Sequence, residues 1–186
     1  MKKIILIALV LFLAFAVIGY RMVLSGEAQT FFENPKEFIF QKGKKSYWRP
    51  LPVTLYFVSE SGGSLTKEEA YIGQTMLDLP RALFSLLEEG PENKNLNPVV
   101  PQETMLIWAK IEKEICVLNV NEAFLRNMPE DEEQEKLWVY GIVNSFAGLS
   151  GIEQVKFLVE GKELEQLHAL GVKEPLTPDF SFVSNE

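Results

Sequence analysis

Cysteine and histidine are nearly missing from this chain, whose 186 residues hold one of each, Cys116 and His168. A lone cysteine excludes an intramolecular disulfide and a four-cysteine zinc site; a lone histidine excludes every site built on two imidazoles. The sequence has no G-x-S-x-G elbow and no phosphate-cradling glycine loop. Positive charge is also scarce, with 18 Lys and Arg against 26 Asp and Glu, a net −8. Residues 1–50 carry eight basic and three acidic residues (+5), which leaves the remainder at −13. A body that acidic repels phosphate backbones, so nucleic acid is not an expected partner. What is present is globular: 47% hydrophobic and 24% charged residues, which rules out a disordered or low-complexity chain.

The N-terminus is written for a membrane. After Met1-Lys2-Lys3, residues Ile4 to Tyr20 form an uncharged run of 17 residues, closed by Arg21. That length lies above the usual signal-peptide core of about 7–15 residues and at the lower limit of a spanning helix. Two readings stand. A peptidase could cut after Ala28, with Gly26 and Ala28 as the small residues; alternatively, the helix stays as an uncleaved anchor. The anchor is preferred, because Arg21, Leu24 and Glu27 make a poor cleavage region. Lys2 and Lys3 place the N-terminus in the cytoplasm and the remainder outside the cytoplasmic membrane. Residues 1–28 are thus expected to be anchor or signal, and 29–50 an aromatic and basic juxtamembrane linker. Residues 51–180 are expected to form the domain, and 181–186 a tail.

The domain alternates strand and helix signals. Val53, Leu55 and Phe57 alternate with Thr54, Tyr56 and Val58, the pattern of a half-buried strand ended by Ser61-Gly62-Gly63. Pro80 suits a first helical turn, Ala82, Leu83, Leu86 and Leu87 share a face, and Gly90-Pro91 stops the helix. Thr104–Ile111 and Ile115–Val120 read as a hairpin. The acidic stretch Glu130 to Glu135 opens a long helix with the stripe Trp138, Val139, Ile142, Val143, Phe146 and Leu149. Gln154–Val159 is a last strand, closed by Glu160-Gly161-Lys162. The order β-α-β-β-α-β predicts an α+β two-layer sandwich, with two helices on one face of a four-stranded sheet and its core on the last strand and second long helix.

Several segments carry a resemblance. They are Val53-Thr54-Leu55-Tyr56-Phe57, Leu86-Leu87-Glu88-Glu89-Gly90-Pro91, Val100-Pro101-Gln102-Glu103-Thr104 and Val117 to Phe124 (VLNVNEAF). The fullest is Ile142-Val143-Asn144-Ser145-Phe146 through Gly151 to Lys162. In this order they resemble the sporulation and spore-germination domain family called GerMN, over residues 53 to about 180. One departure is in the tail: members often show Gly-His where this chain reads Leu167-His168-Ala169-Leu170-Gly171. The resemblance implies an envelope protein anchored by a lipid or an N-terminal helix. Some members act in assembling complexes between the two membranes of a developing spore. It also implies a likeness to ring-building modules of secretion machinery, and no catalytic residues.

The side chains agree with that implication. Ser145 lies inside a helical stripe, Ser150 in a Gly-Leu-Ser-Gly helix stop, and Cys116 alternates with Leu118 and Val120 as a core residue. Glu165-x-x-His168 has a metal-pair spacing, but with one histidine it cannot be doubled as di-metal sites require. Gly141 and Asn144, small and polar within an apolar helix, are expected to permit close helix–sheet approach. The expected function is non-enzymatic, with no cofactor and no metal. The domain mediates contacts with envelope proteins, or with copies of itself, while residues 4–20 hold the membrane. Glu132, Glu133 and Glu135 are the expected partner contact. The alternatives are a cell-wall binder using the aromatics of residues 31–48, and a hydrolase, which would need a polar cluster not found.

Overall fold

The computed structural model describes residues 50–73 and 78–184. The expected anchor, its cleavage site and residues 29–49 with their aromatics lie outside the described residues. Among the described residues no helix is long and apolar enough to cross a membrane.

Strand β1 (Leu51–Val58) pairs antiparallel with β2 (Leu65–Ile72), with Val58 opposite Leu65 at the closed end. Helix α1 (Leu79–Glu89) follows; the Asp78 carboxylate caps it by accepting the Arg81 N–H, Pro80 sits in its first turn, and Gly90 ends it at φ 83°. Strands β3 (Leu106–Glu112) and β4 (Ile115–Val120) form the expected hairpin, and a bulge at Ile107 shifts its register. After a single-turn helix α2 (Ala123–Arg126) comes α3 (Glu132–Phe146), capped by Asp131 with Glu132, Glu133 and Glu135 in its first turn. Carboxylates there complement the positive end of the helix dipole. Strand β5 (Gln154–Val159) runs parallel to β4, and a tight turn at Glu160 (φ 49°) and Gly161 (φ 75°) returns it to β6 (Lys162–Glu163).

The described residues are therefore α+β, with a four-stranded sheet in the order β3-β4-β5-β6 and two substantial helices. Its membership differs from the sequence reading. β1 belongs to a separate two-stranded sheet with β2, and the two-residue β6 takes the fourth place. The free edge of β1 is covered by α3 and by Asn97, which exchanges two backbone hydrogen bonds with Val58. This cover explains a second difference: Tyr56, Phe57 and Val58 are all buried, so the strand is not half-exposed at this end.

One sheet face is the core. Cys116, Leu118 and Val120 on β4 and Val155, Phe157 and Val159 on β5 are buried, and Phe124 of α2 stacks on Phe157 at 5.4 Å. Phe146 and Phe157, expected at its centre, are fully buried. In α3 every residue from Gly141 to Phe146 is buried, because the helix is enclosed by β1, β5 and the C-terminal segment rather than resting on one face. That segment is tied down. Asn144 exchanges two hydrogen bonds with the Asp179 backbone, Phe182 stacks on Tyr140 at 4.9 Å, and Ser184 N–H donates to the Leu65 carbonyl. Residues 181–184, assigned above to a tail, thus pack on the domain.

Candidate functional site

Four of the segments singled out in the sequence meet at one end of the four-stranded sheet. The C-terminus of α1 (Glu88 to Pro91), the loop Pro98 to Met105, the β4–α2 junction (Asn121 to Ala123, with Arg126) and Glu160 after β5 line a cleft of about 770 Å3. β4 and β5 are parallel, and their carboxyl ends open into this cleft. Crevices at such ends are where α/β sheets receive ligands.

The loop forming one wall is held by side chains of the opposite wall. Asn121 accepts the Met105 N–H and donates to the Glu103 carbonyl, both at 3.0 Å. Arg126 pairs with the Glu103 carboxylate at 2.6 Å, and Asn127 donates to the Gln102 carbonyl at 2.7 Å. These bonds hold Glu103 at φ 62°, a region that side-chain-bearing residues seldom enter. Behind the junction, Asn119 accepts the Gly161 N–H at 2.7 Å and fixes the turn that carries Glu160.

Charge and an unpaired hydroxyl distinguish the cleft. Glu88, Glu89, Glu103, Glu122 and Glu160 line it and are exposed, against one cation among the described residues, Arg126, which Glu103 already engages. Thr104, also in the lining, is 2% exposed, and its Oγ1 has no hydrogen-bond partner among the described residues. Buried hydroxyls are ordinarily paired, and an unpaired one costs about 1–3 kcal/mol.

The residues expected from sequence are dispersed. Glu132 and Glu133 are exposed on the first turn of α3, Glu132 bound to Lys136 at 2.5 Å. Glu135 is corrected: it is fully buried and takes no part in a contact surface. Its carboxylate accepts the backbone N–H groups of His168, Ala169 and Leu170 at 2.8, 3.1 and 2.6 Å, which fastens the loop after β6 to the start of α3. His168 Nδ1 lies 3.2 Å from the Pro129 carbonyl and 3.4 Å from Glu135. Residues 164–171 are not helical, so Glu165 and His168 do not share a helix face as a metal pair would. Ser145 donates to the Gly141 carbonyl at 2.7 Å and accepts the Tyr56 N–H at 3.0 Å. Cys116 is buried in the sheet core, where burial, with Asp78 adding, pushes its thiol up to about 12. Gly141 does permit the close approach expected of it; Asn144 binds the C-terminal segment instead. Sequence reasoning missed the cleft. Its one early signal was that the segments carrying the resemblance end in turns, each of which could face the others.

Comparison with known proteins follows the same segments. The chain is similar to the tandem GerMN domains of the sporulation protein GerM from Bacillus subtilis, at 19% identity and a TM-score of 0.60 over 77% of this chain. It spans about half (51%) of that structure's length. It is similar as well to the first GerMN domain of the same protein, at 20% identity and a TM-score of 0.54, over 73% of this chain and 98% of that one. No curated protein matches the sequence. The family model described as Germane, sporulation and spore germination, matches residues 54–165, the stretch that builds both sheets, the helices and the cleft. The chain belongs to that family.

Proposed function

We propose that this is a non-enzymatic envelope protein whose domain makes protein–protein contacts in assembling an envelope complex used in sporulation or germination. Residues 4–20 anchor it in the cytoplasmic membrane, with the N-terminus inside and the domain outside. The observation that carries this reading is the family match over residues 54–165. Side-chain chemistry supports the non-enzymatic part. The Ser145 hydroxyl is held between two backbone groups, the Cys116 thiol is buried, and the buried Glu135 carboxylate is occupied by three backbone N–H groups. A nucleophile needs access and a base within reach, which these positions deny.

The test is made in the chain's own host. Membranes collected through sporulation are solubilised and run on native gels, beside a strain lacking the gene. The chain is expected in an assembly several times its 21.2 kDa mass, and heat-resistant spores are expected to fall without it. Monomeric migration together with an unchanged spore count contradicts the reading.

A further inference from the structure

The geometry points to the cleft at the carboxyl ends of β4 and β5 as a binding site for an extended, lysine- or arginine-bearing segment of a partner protein. This deepens the contact function proposed above and rests on it. Two independent observations carry it. The cleft presents carboxylates from four separate segments, and among the described residues only Glu103 of these has a cationic partner, Arg126. At the same place the buried Thr104 Oγ1 lacks any partner among the described residues.

The chemistry separates a peptide from simpler cations. The carboxylates are spread around the cleft, and among the described residues no group of three or more His, Cys, Asp or Glu could hold a metal ion. A divalent cation needs converging oxygens within about 2.6 Å of one point, which this spread does not offer. A peptide supplies what is missing on both counts. Its main-chain carbonyl or N–H can pair with the Thr104 hydroxyl, which both donates and accepts, once a small shift of the Pro101–Met105 loop uncovers that buried oxygen. Its cationic side chains can reach the rim glutamates while their aliphatic stems lie along Val100, Pro101 and Ala123. A cleft of about 770 Å3 falls within the usual range of ligand sites, about 300–1,000 Å3. The −13 of the chain beyond residue 50 adds steering toward a basic partner.

The test uses the full chain in detergent micelles and a fluorescein-labelled hexapeptide of alternating lysine and alanine, read by fluorescence anisotropy. Saturable binding that weakens with added salt is expected. The E122Q/E160Q pair should weaken it about fivefold. Thr104→Val should weaken it about threefold or more while leaving the melting temperature unchanged or raised, since it removes an unpaired hydroxyl. The pair E132Q/E133Q, equal in charge change but away from the cleft, should bind as the parent does. Absence of saturable binding overturns the proposal. Equal weakening by both glutamine pairs does so too, because diffuse acidity would then be responsible, as does a Thr104→Val affinity equal to the parent's. A chain that still migrates in a large native assembly but ignores the peptide overturns this site alone and leaves the contact function standing.

Discussion

The Cβ that Gly141 lacks would stand 3.0 Å from the carbonyl oxygen of Tyr56. Helix α3 thus lies directly against the free edge of β1, with a second obstacle at Val99 Cγ1, 2.6 Å from the same point. Neither a backbone carbonyl nor a β-branched side chain yields easily. One turn on, the Ser145 hydroxyl satisfies the Tyr56 N–H that the missing strand partner leaves open. Gly141→Ala should therefore cost about 1–3 kcal/mol by overpacking, although alanine is the better helix former. Ser145→Ala should cost a similar amount by leaving a buried N–H unpaired. Denaturant melts of both variants check this, and a Gly141→Ala protein as stable as the parent would refute the close approach.

Glu135 gives the second prediction. Glu135→Ala strips three backbone N–H groups of their acceptor and should destabilise the protein by about 1–3 kcal/mol, the range for hydrogen-bonding groups left unpaired. Amide exchange at His168, Ala169 and Leu170 should accelerate most, since their N–H groups are the ones released. A Glu132→Gln variant, exposed one turn earlier, should melt within 0.5 kcal/mol or so of the parent. Protection at 168–170 that survives Glu135→Ala would contradict the assignment.

Much of the fold is legible in the sequence because the signals are local. Pro80 and Gly90-Pro91 bracket α1, the capping Asp131 opens α3, and the apolar alternation of β4 and β5 reads directly. β2 is not legible from composition. Its LTKEEAYI is rich in charge, and what makes it a strand is pairing with β1 across the Ser59–Ser64 loop. β1 reads as half-buried because the helix and Asn97 on its edge are distant in sequence. Glu135 looks solvated within an acidic run. Its spacing to Trp138, Val139 and Ile142 nonetheless continues the apolar stripe, and that was the available signal. The cleft needs four segments brought together in space, so no single stretch announces it.

Cys116 ties stability to pH. In the unfolded chain the thiol ionises near its ordinary 9.0, whereas burial holds the folded one at about 12. Below pH 9 both states keep the proton and the thiol adds no pH dependence. Above it only the unfolded state ionises, so stability falls as pH rises, by about 1.4 kcal/mol per unit. The parent should lose stability between pH 9 and 10, and Cys116→Ala should lose less over that interval. Parallel profiles for the two proteins would rule this out.

Ionic strength should separate two kinds of contact. The acidic body repels its own copies, so self-association of the full chain should be weakest in low salt and rise as the Debye length shrinks toward about 8 Å. Neutralising the exposed Glu132 and Glu133 should ease self-association further. Sedimentation at two salt concentrations reads both effects. A stable oligomer in low salt, unaltered by the two substitutions, would exclude electrostatic control of self-contact.

The domain is proposed to work by contact, and that contact to be made in the cleft. A photo-crosslinking residue placed at Gln102, exposed on the cleft wall, tests it against the same residue at Glu133 on α3. In host membranes during sporulation, Gln102 should yield one discrete adduct whose crosslinked peptide, sequenced by mass spectrometry, is rich in lysine or arginine. The Glu133 position should yield little. Adducts from Glu133 alone, or a Gln102 adduct mapping to an acidic or wholly apolar peptide, would contradict it.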